Sequence, residues 1–320
     1  MYRSRDRGLD AARGAAIILV VAGHVLSGPA QWVIYAFHMP FFFLVGGYFH
    51  RAGAAIPVFT YRKARQILVP YFIYLGLLIA PFMYWAFKSN GLEDVAARVW
   101  KFFLGGERLA GIWTVFWFPT CYFLTIVLYR VLQSVLGASG LWAVMAVCYL
   151  LALANQYVVP DYWLPWALNV CAMTLPLFHI GHVYGARLFQ GRDPLVLAAL
   201  LAGVLYLAAI AAGLAPSIDM RSASYGWPVI TPLAAIACSA GLVLLARALP
   251  PLPIIGPLLE QMGQASMTIM FLHMPLISLV GTQVTLGIWG KLAVGVLLSF
   301  AAHEVIRRWR PSRALLLGRA

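Results

Sequence analysis

Apolar stretches of about 20 residues recur along almost the whole chain, and each is long enough to cross a bilayer as a helix. Only 10% of the 320 residues are charged and 62% are hydrophobic. A water-soluble domain carries about 25% charged residues, so lipid is the expected solvent for most of this surface. The sequence therefore predicts an all-α, polytopic integral membrane helical bundle that forms a single domain over residues 1–320.

Ten membrane-spanning helices are expected. They are assigned to residues 9–27, 32–49, 67–87, 112–132, 140–155, 164–184, 195–212, 228–248, 263–284 and 289–306. This even number puts both termini on one side, which then carries 17 of the 23 Lys and Arg residues. Because positive residues concentrate on the cytoplasmic side, we expect both termini in the cytoplasm and a multi-pass protein of the inner or plasma membrane. Eight or twelve spans are the alternatives.

The basic residues of this chain lie in short clusters that flank apolar spans. Such clusters orient helices in the bilayer, so the net charge of +13 indicates a lipid partner and no nucleic acid partner. The longest connection, residues 88–111, mixes charged and apolar side chains. It is expected to form an amphipathic helix in the interface or to cap an active site, and the sequence leaves both open.

The first span contains an arginine and a histidine, Arg13 and His24, eleven residues apart. On an α-helix this interval is about 16 Å and returns to within roughly 20° of the same face. Ionisable side chains that face lipid are costly, so this face is expected to point into the bundle, with Asp10 one turn away from Arg13. The alternatives are a snorkelling anchor for Arg13 and an interhelical hydrogen bond for His24.

Two further histidines are expected at a similar depth. Gln31 is midway between His24 and His38, so an antiparallel hairpin brings these two side chains level, and Pro40 can bend the helix beside them. His273 lies about ten residues into the ninth span and is likewise placed near mid-bilayer by helical rise. Histidines at a similar depth in the bilayer, beside a break in a helix, predict a polar cavity.

Together these patterns resemble the membrane acyltransferase 3 family, most closely its branch of fucose 4-O-acetylase-like sugar O-acetyltransferases. The residues that carry the resemblance are Leu9-Asp10, Arg13-Gly14 and His24; Phe37-His38-Met39-Pro40 with Phe42-Phe43; Arg62-Lys63-Ala64-Arg65 and Leu68-Val69-Pro70-Tyr71; Phe116-Trp117-Phe118-Pro119; and Gly263-Gln264-Ala265-Ser266 with Ile269 and His273. Gly46 and Met270 depart from the family, which usually has Ser and often has Tyr at these positions.

The resemblance implies transfer of an acetyl or similar acyl group from acyl-CoA, bound as a substrate and not as a resident cofactor, to a saccharide or lipid-linked glycan of the cell envelope. His24 is expected as the general base or as a transient acyl carrier. Arg13 is expected to hold a CoA phosphate, with phosphate contacts or topology anchoring as alternative roles for Arg62, Lys63 and Arg65.

The remaining site residues have assigned roles as well. His38 and His273 are expected in the catalytic cavity, where His273 orients the acceptor or stabilises an oxyanion. Ser266 and Trp117 are expected to bind substrate, although an interfacial aromatic belt also explains Trp117.

Two other functions fit the same polar cavity. One is a transporter or flippase of a lipid-linked saccharide, and the other is an inactive relative that assists glycan assembly. His179 and His182 form an HxxH pattern, but no carboxylate stands near it in sequence, and no metal site is expected. His50, beside Arg51, and His303, beside Glu304, are expected at the membrane interface.

Overall fold

The computed structural model describes residues 6–191, 193–248 and 253–318, and for residues 85–86 and 89–98 the backbone alone. The helices are α1 Arg7–Val25, α2 Pro29–Tyr35, α3 His38–Phe49, α4 Ile56–Leu104, α5 Trp117–Val135, α6 Ala138–Tyr157, α7 Cys171–Leu188, α8 Pro194–Ala211, α9 Ile230–Ala248, α10 Ile255–Gly281, α11 Ile288–Ala293, α12 Ser299–Ile306 and α13 Arg310–Leu316. Within the described ranges, extended pairing is limited to one isolated bridge between Asp219 and Ser224. The all-α prediction is confirmed.

The described part of the chain contains ten helical segments long and apolar enough to span a membrane, as predicted. They are Arg7–Val25, Pro29–Phe49, Ile56–Tyr84, Gly111–Val135, Ala138–Tyr157, Pro165–Leu188, Pro194–Ala211, Ile230–Ala248, Ile255–Gly281 and Ile288–Ile306. The third helix begins about three turns and the ninth about two turns before the predicted span, because polar residues end an apolar stretch without ending a helix.

The second span is broken just before His38. Helix α2 ends at Tyr35, α3 begins at His38, and Phe37 between them has a non-helical ψ of −16° with φ −143°. Proline lacks an N–H, so Pro40 leaves the carbonyl of Ala36 without its helical partner. Gln31 donates from Nε2 to the carbonyl of Gly23 at 2.9 Å, which fastens the hairpin to α1.

Helices α1 and α10 lie parallel with their backbones in direct contact. A Cβ on Gly14 would come within 1.9 Å of the carbonyl oxygen of Leu259, and a Cβ on Gly263 would come within 1.9 Å of that of Asp10. Gly47 and Gly181 join α3 and α7 in the same way. Only glycine permits this approach, which brings the polar residues of α1 within reach of α10.

Helix α4 reverses its direction within its 49 residues. Phe82 and Phe102 both contact the ring of Trp113, with centroids 4.8 and 5.4 Å away, although twenty residues of straight helix span about 30 Å. A Cβ on Gly105 would likewise lie 3.3 Å from the hydroxyl of Tyr71. The predicted connection is therefore helical to Leu104, and its last residues pack back onto the bundle.

Candidate active site

Two cavities meet inside the bundle at His24. The Arg13 cavity has a volume of about 290 Å³, and the Asp219 cavity, at the end of the bundle where α1 ends, has a volume of about 130 Å³. The Arg13 cavity is lined by Arg13, Ile17, Val20, His24, Met39, Phe42, Val45, Gly46, Phe49, Ile67, Val115, Trp117, Phe118, Pro119, Tyr122, Ser266, Met267 and Met270. The Asp219 cavity is lined by His24, Tyr35, His38, Met39, Thr114, Trp117, Ile218, Asp219, Met220 and Arg221.

Three side chains, His24, Met39 and Trp117, line both cavities and form the wall between them. Of these, His24 alone has an ionisable side chain. A group bound in either cavity therefore reaches the same imidazole. This position follows from the helix geometry expected for α1, which puts Arg13 and His24 on one face.

The histidines around His24 have fixed tautomers. His38 lies 2.9 Å from the carbonyl of Ile34 through Nδ1, and His273 lies 2.8 Å from that of Ile269 through Nδ1. A carbonyl only accepts, so Nδ1 of each ring carries the proton, and Nε2 of each neutral ring is an acceptor. His24 has no such bond to any described residue, so no backbone carbonyl determines which of its ring nitrogens carries the proton.

His273 lies beside His24, with ring centroids 5.3 Å apart, and is fully buried. Its Nε2 has no hydrogen-bond partner among the described residues. Because the neutral ring offers a lone pair there, His273 is suited to accept a hydrogen bond from His24 and is not suited to donate to an oxyanion. This tautomer favours an orienting role for His273, and that role stays a prediction.

Arg13 points into its cavity and contacts α10. Its Nη2 donates to Ser266 Oγ at 3.3 Å, and its Nη1 lies 3.6 Å from Asp10 Oδ1, the ion pair expected from the sequence. Its side chain keeps 34% of its surface exposed. Because Arg13 lines a cavity, it does not fit the role of a snorkelling anchor. Its contacts with Ser266 and Asp10 are long, so a bound ligand could replace them.

Trp117 is only 6% exposed and lies at the N-terminus of α5 in contact with both cavities. A residue of an interfacial aromatic belt faces lipid, so the belt interpretation of Trp117 is wrong. Ser266, 8% exposed, lies one turn beyond Gly263 and is held against Arg13 by the close helix packing. Both side chains line the Arg13 cavity, and their role in binding substrate stays a prediction.

Arg62, Lys63 and Arg65 lie at the start of α4, outside both cavities. Arg62 and Arg65 are exposed, and Lys63 is half-buried against the ring of Phe59 and Gln66. Ile67, less than one turn later, lines the Arg13 cavity. The structure places these basic side chains beside the cavity but does not bring them into contact with Arg13.

The sequence analysis missed several cavity residues. Tyr35, Thr114, Asp219 and Arg221 line the Asp219 cavity, and the last two come from the connection between α8 and α9. A sequence pattern could have indicated Asp219 and Arg221, because they are an acidic and a basic residue close together in a connection that is otherwise nearly uncharged. Gly46, where the family usually has Ser, lines the Arg13 cavity, and a Cβ there would come 2.5 Å from the hydroxyl of Tyr122.

The other histidines form a separate group and require two corrections. His50 and His303 were expected at the interface, but both are buried: His50 bonds Gln133 at 3.0 Å, and His303 bonds the hydroxyl of Thr268 at 2.9 Å. His179 shares a 2.8 Å bond with Tyr129, and His182 lies 3.2 Å from Gln133. The described residues contain no group of three or more His, Cys, Asp or Glu placed to hold a metal ion.

The fold and the site define a class: a multi-pass membrane protein whose transmembrane core encloses an arginine and three histidines beside two adjoining cavities. Residues 6–303 match the sequence profile of the Acyltransferase domain family, acyltransferase 3, and the chain belongs to this family of acyltransferases. The resemblance seen in the sequence is thereby confirmed at the level of the family.

One curated relative is the nodulation protein NolL of Mesorhizobium japonicum, 26% identical over 166 residues. The match covers 47% of this chain and 42% of that protein, so the chain spans less than half of that relative's length. No solved structure was found to match the chain.

Proposed function

We propose that this acyltransferase moves an acetyl or similar acyl group from acyl-CoA to a hydroxyl of a cell-envelope or exported saccharide, in the inner or plasma membrane. The observation that carries the proposal is the position of His24 in the wall between the Arg13 and Asp219 cavities. A donor in one cavity and an acceptor in the other would meet at the only shared side chain that can move a proton.

The Arg13 cavity fits the donor. Its lining is mostly apolar, and Arg13 and His24 lie about 16 Å apart along the axis of α1, which is roughly the reach of an extended pantetheine arm. In this proposal Arg13 holds a phosphate or a polar group of the arm. With both termini in the cytoplasm, the basic residues Arg62, Lys63 and Arg65 lie on the side from which CoA enters and attract its phosphates.

The proposed chemistry is based on the tautomers of His38 and His273 and on the ring of His24, which no backbone carbonyl holds. His24 accepts the proton of the acceptor hydroxyl while the oxygen of that hydroxyl attacks the thioester carbon. The C–S bond breaks as the new ester C–O bond forms. The proton passes from His24 to the sulfur of CoA, which leaves as the thiol. His273 and His38, whose Nδ1 protons are held by carbonyls, keep the ring of His24 oriented.

The direct test incubates membranes that contain the protein with acetyl-CoA labelled in its acetyl group. The proposal expects label in saccharide or lipid-linked saccharide, released as acetate by mild base because the product is an ester. Unlabelled saccharide with intact acetyl-CoA would contradict it. Saccharide that moves across the membrane without any need for acetyl-CoA would support the alternative, a transporter or flippase.

Replacing Arg13 by glutamine is expected to raise the KM for acetyl-CoA by about 10- to 100-fold, the range for one lost hydrogen bond to a charged group. The turnover number should change less, since Arg13 lies about 16 Å from the base. Initial rates over a range of acetyl-CoA concentrations measure both. Arg308→Gln is the control, because Arg308 is exposed and lies outside both cavities. An unchanged KM in Arg13→Gln would remove Arg13 from the donor site.

A further inference from the structure

The connection between α8 and α9 forms a short turn over the Asp219 cavity. Asp219 and Ser224 bond each other's backbone, with N···O distances of 2.8 and 3.0 Å, and Ala223 between them has a positive φ of 51°. Residues 218–221 line the cavity. We refer to residues 216–227 as the far turn.

The far turn is fastened at several points. Arg221 donates from Nη2 to the carbonyls of Glu107 and Leu109, both at 3.1 Å. Gln156 and Tyr157 on α6 both donate to the carbonyl of Gly226 at 3.0 Å. Ser217 donates to the carbonyl of Trp32. A segment held by three separate elements keeps its side chains in place before any ligand arrives.

This fixed turn orients the carboxylate of Asp219. Its Oδ1 accepts from the backbone N–H groups of Arg221 at 3.1 Å and Ser222 at 3.4 Å, while no described residue donates to Oδ2 in a hydrogen bond. The carboxylate is half-buried in a cavity whose wall includes the imidazole of His24. An oriented carboxylate oxygen in such a cavity is an acceptor for a hydroxyl donor.

The other residues that line the Asp219 cavity indicate which kind of ligand it can bind. Trp117 offers an aromatic face, while Tyr35 and Thr114 offer hydroxyl groups, and one acidic residue is balanced by one basic residue, Arg221. This combination suits a neutral ring with several hydroxyl groups and an apolar face. The volume of about 130 Å³ has room for about four water molecules, so the cavity can take the hydroxyl-bearing edge of one sugar ring but not a second sugar.

We propose that the Asp219 cavity is the acceptor subsite and that it binds one neutral pyranose ring, with Asp219 Oδ2 accepting a hydrogen bond from a hydroxyl next to the one that is acylated. This proposal rests on the acyl transfer proposed above. Asp219 is a positioning and specificity residue: it fixes which hydroxyl faces His24, and its charge disfavours acceptors that carry a carboxylate.

The test uses octyl β-D-glucopyranoside as a neutral acceptor and octyl β-D-glucuronide as its carboxylate counterpart, with protein in lipid nanodiscs and labelled acetyl-CoA. Asp219→Asn is expected to raise the KM for the glucoside about tenfold, the loss expected for one hydrogen bond to a charged group. The KM for acetyl-CoA should move less than twofold. The preference for the glucoside over the glucuronide should also shrink, which loss of stability alone would not produce.

Asp161→Asn is the matched control, because Asp161 lies in an exposed connection and does not line the Asp219 cavity. Thr114→Val, which removes a cavity hydroxyl at constant shape, is a second variant that should raise the KM for the glucoside about threefold even where Asp219→Asn folds poorly. Unchanged glucoside KM and preference in a folded Asp219→Asn protein, or an unchanged glucoside KM in Thr114→Val, would overturn the subsite.

The two proposals fail in different ways. Wild-type protein that transfers acetyl groups to saccharide in its own membranes but never to the glucoside overturns the single-ring subsite alone. Wild-type protein that consumes no acetyl-CoA in either setting overturns the proposed function and, with it, the subsite.

Discussion

Replacement of His24 by alanine is expected to lower the rate of acyl transfer by at least about 100-fold, the smaller end of what a positioned general base contributes. The reason is positional: His24 is the shared ionisable side chain in the wall between the Arg13 and Asp219 cavities. Neither His38 nor His273 replaces it, because His38 lines the Asp219 cavity alone and His273 lines neither cavity. Labelled ester formation in nanodiscs measures the loss.

His303→Asn is the control for the loss of a buried histidine, since His303 is 3% exposed and lies outside both cavities. It should retain activity within a few-fold of the wild type. Imidazole added to His24→Ala should restore part of the rate if His24 acts as a base. Acyl label retained on wild-type protein and absent from His24→Ala would instead identify His24 as an acyl carrier. Full activity in His24→Ala would exclude both roles.

Replacement of Gly263 by alanine is expected to have the largest effect on stability, at least about 3 kcal/mol, the upper part of the usual range for overpacked cores. The new Cβ would meet the carbonyl oxygen of Asp10 at 1.9 Å, and a backbone atom inside a helix cannot move aside as a side chain can. Helices α1 and α10 would have to separate, which would also draw Ser266 away from Arg13.

Gly281→Ala is the matched control on the same helix, because nothing lies within 4 Å of the Cβ it would add. Thermal unfolding in detergent and size-exclusion profiles compare the two variants. Gly263→Ala should unfold many degrees below the wild type or fail to give a monodisperse protein, while Gly281→Ala should stay near the wild type. Equal melting temperatures would show that the α1–α10 contact is looser than the structure indicates.

The sequence was sufficient to predict features that depend on one segment or on neighbouring segments. Apolar length located the ten spans, and helical periodicity put Arg13 and His24 on one face. The midpoint position of Gln31 brought His38 into the cavity of His24. Each of these follows from helix geometry alone, without knowledge of distant contacts.

Features that depend on distant segments were not predicted. The parallel contact of α1 with α10 joins residues about 250 apart in sequence, such as Arg13 and Ser266. The reversal of α4 and the placement of Asp219 beside His24 depend on packing that no local pattern encodes. For the same reason the burial of His50 and His303 was missed, since a position near a helix end does not reveal what packs over it.

The eleven-residue interval between Arg13 and His24 has a consequence for how this chain can vary. Both residues lie on one unbroken helix, so the distance between them along the axis is fixed. One inserted residue would turn His24 by about 100° around the axis, out of the wall and into the contact with neighbouring helices. Under the proposed reaction, the length of the donor's arm and the interval in α1 must therefore match, and a donor with a much shorter arm would leave its acyl carbon out of reach.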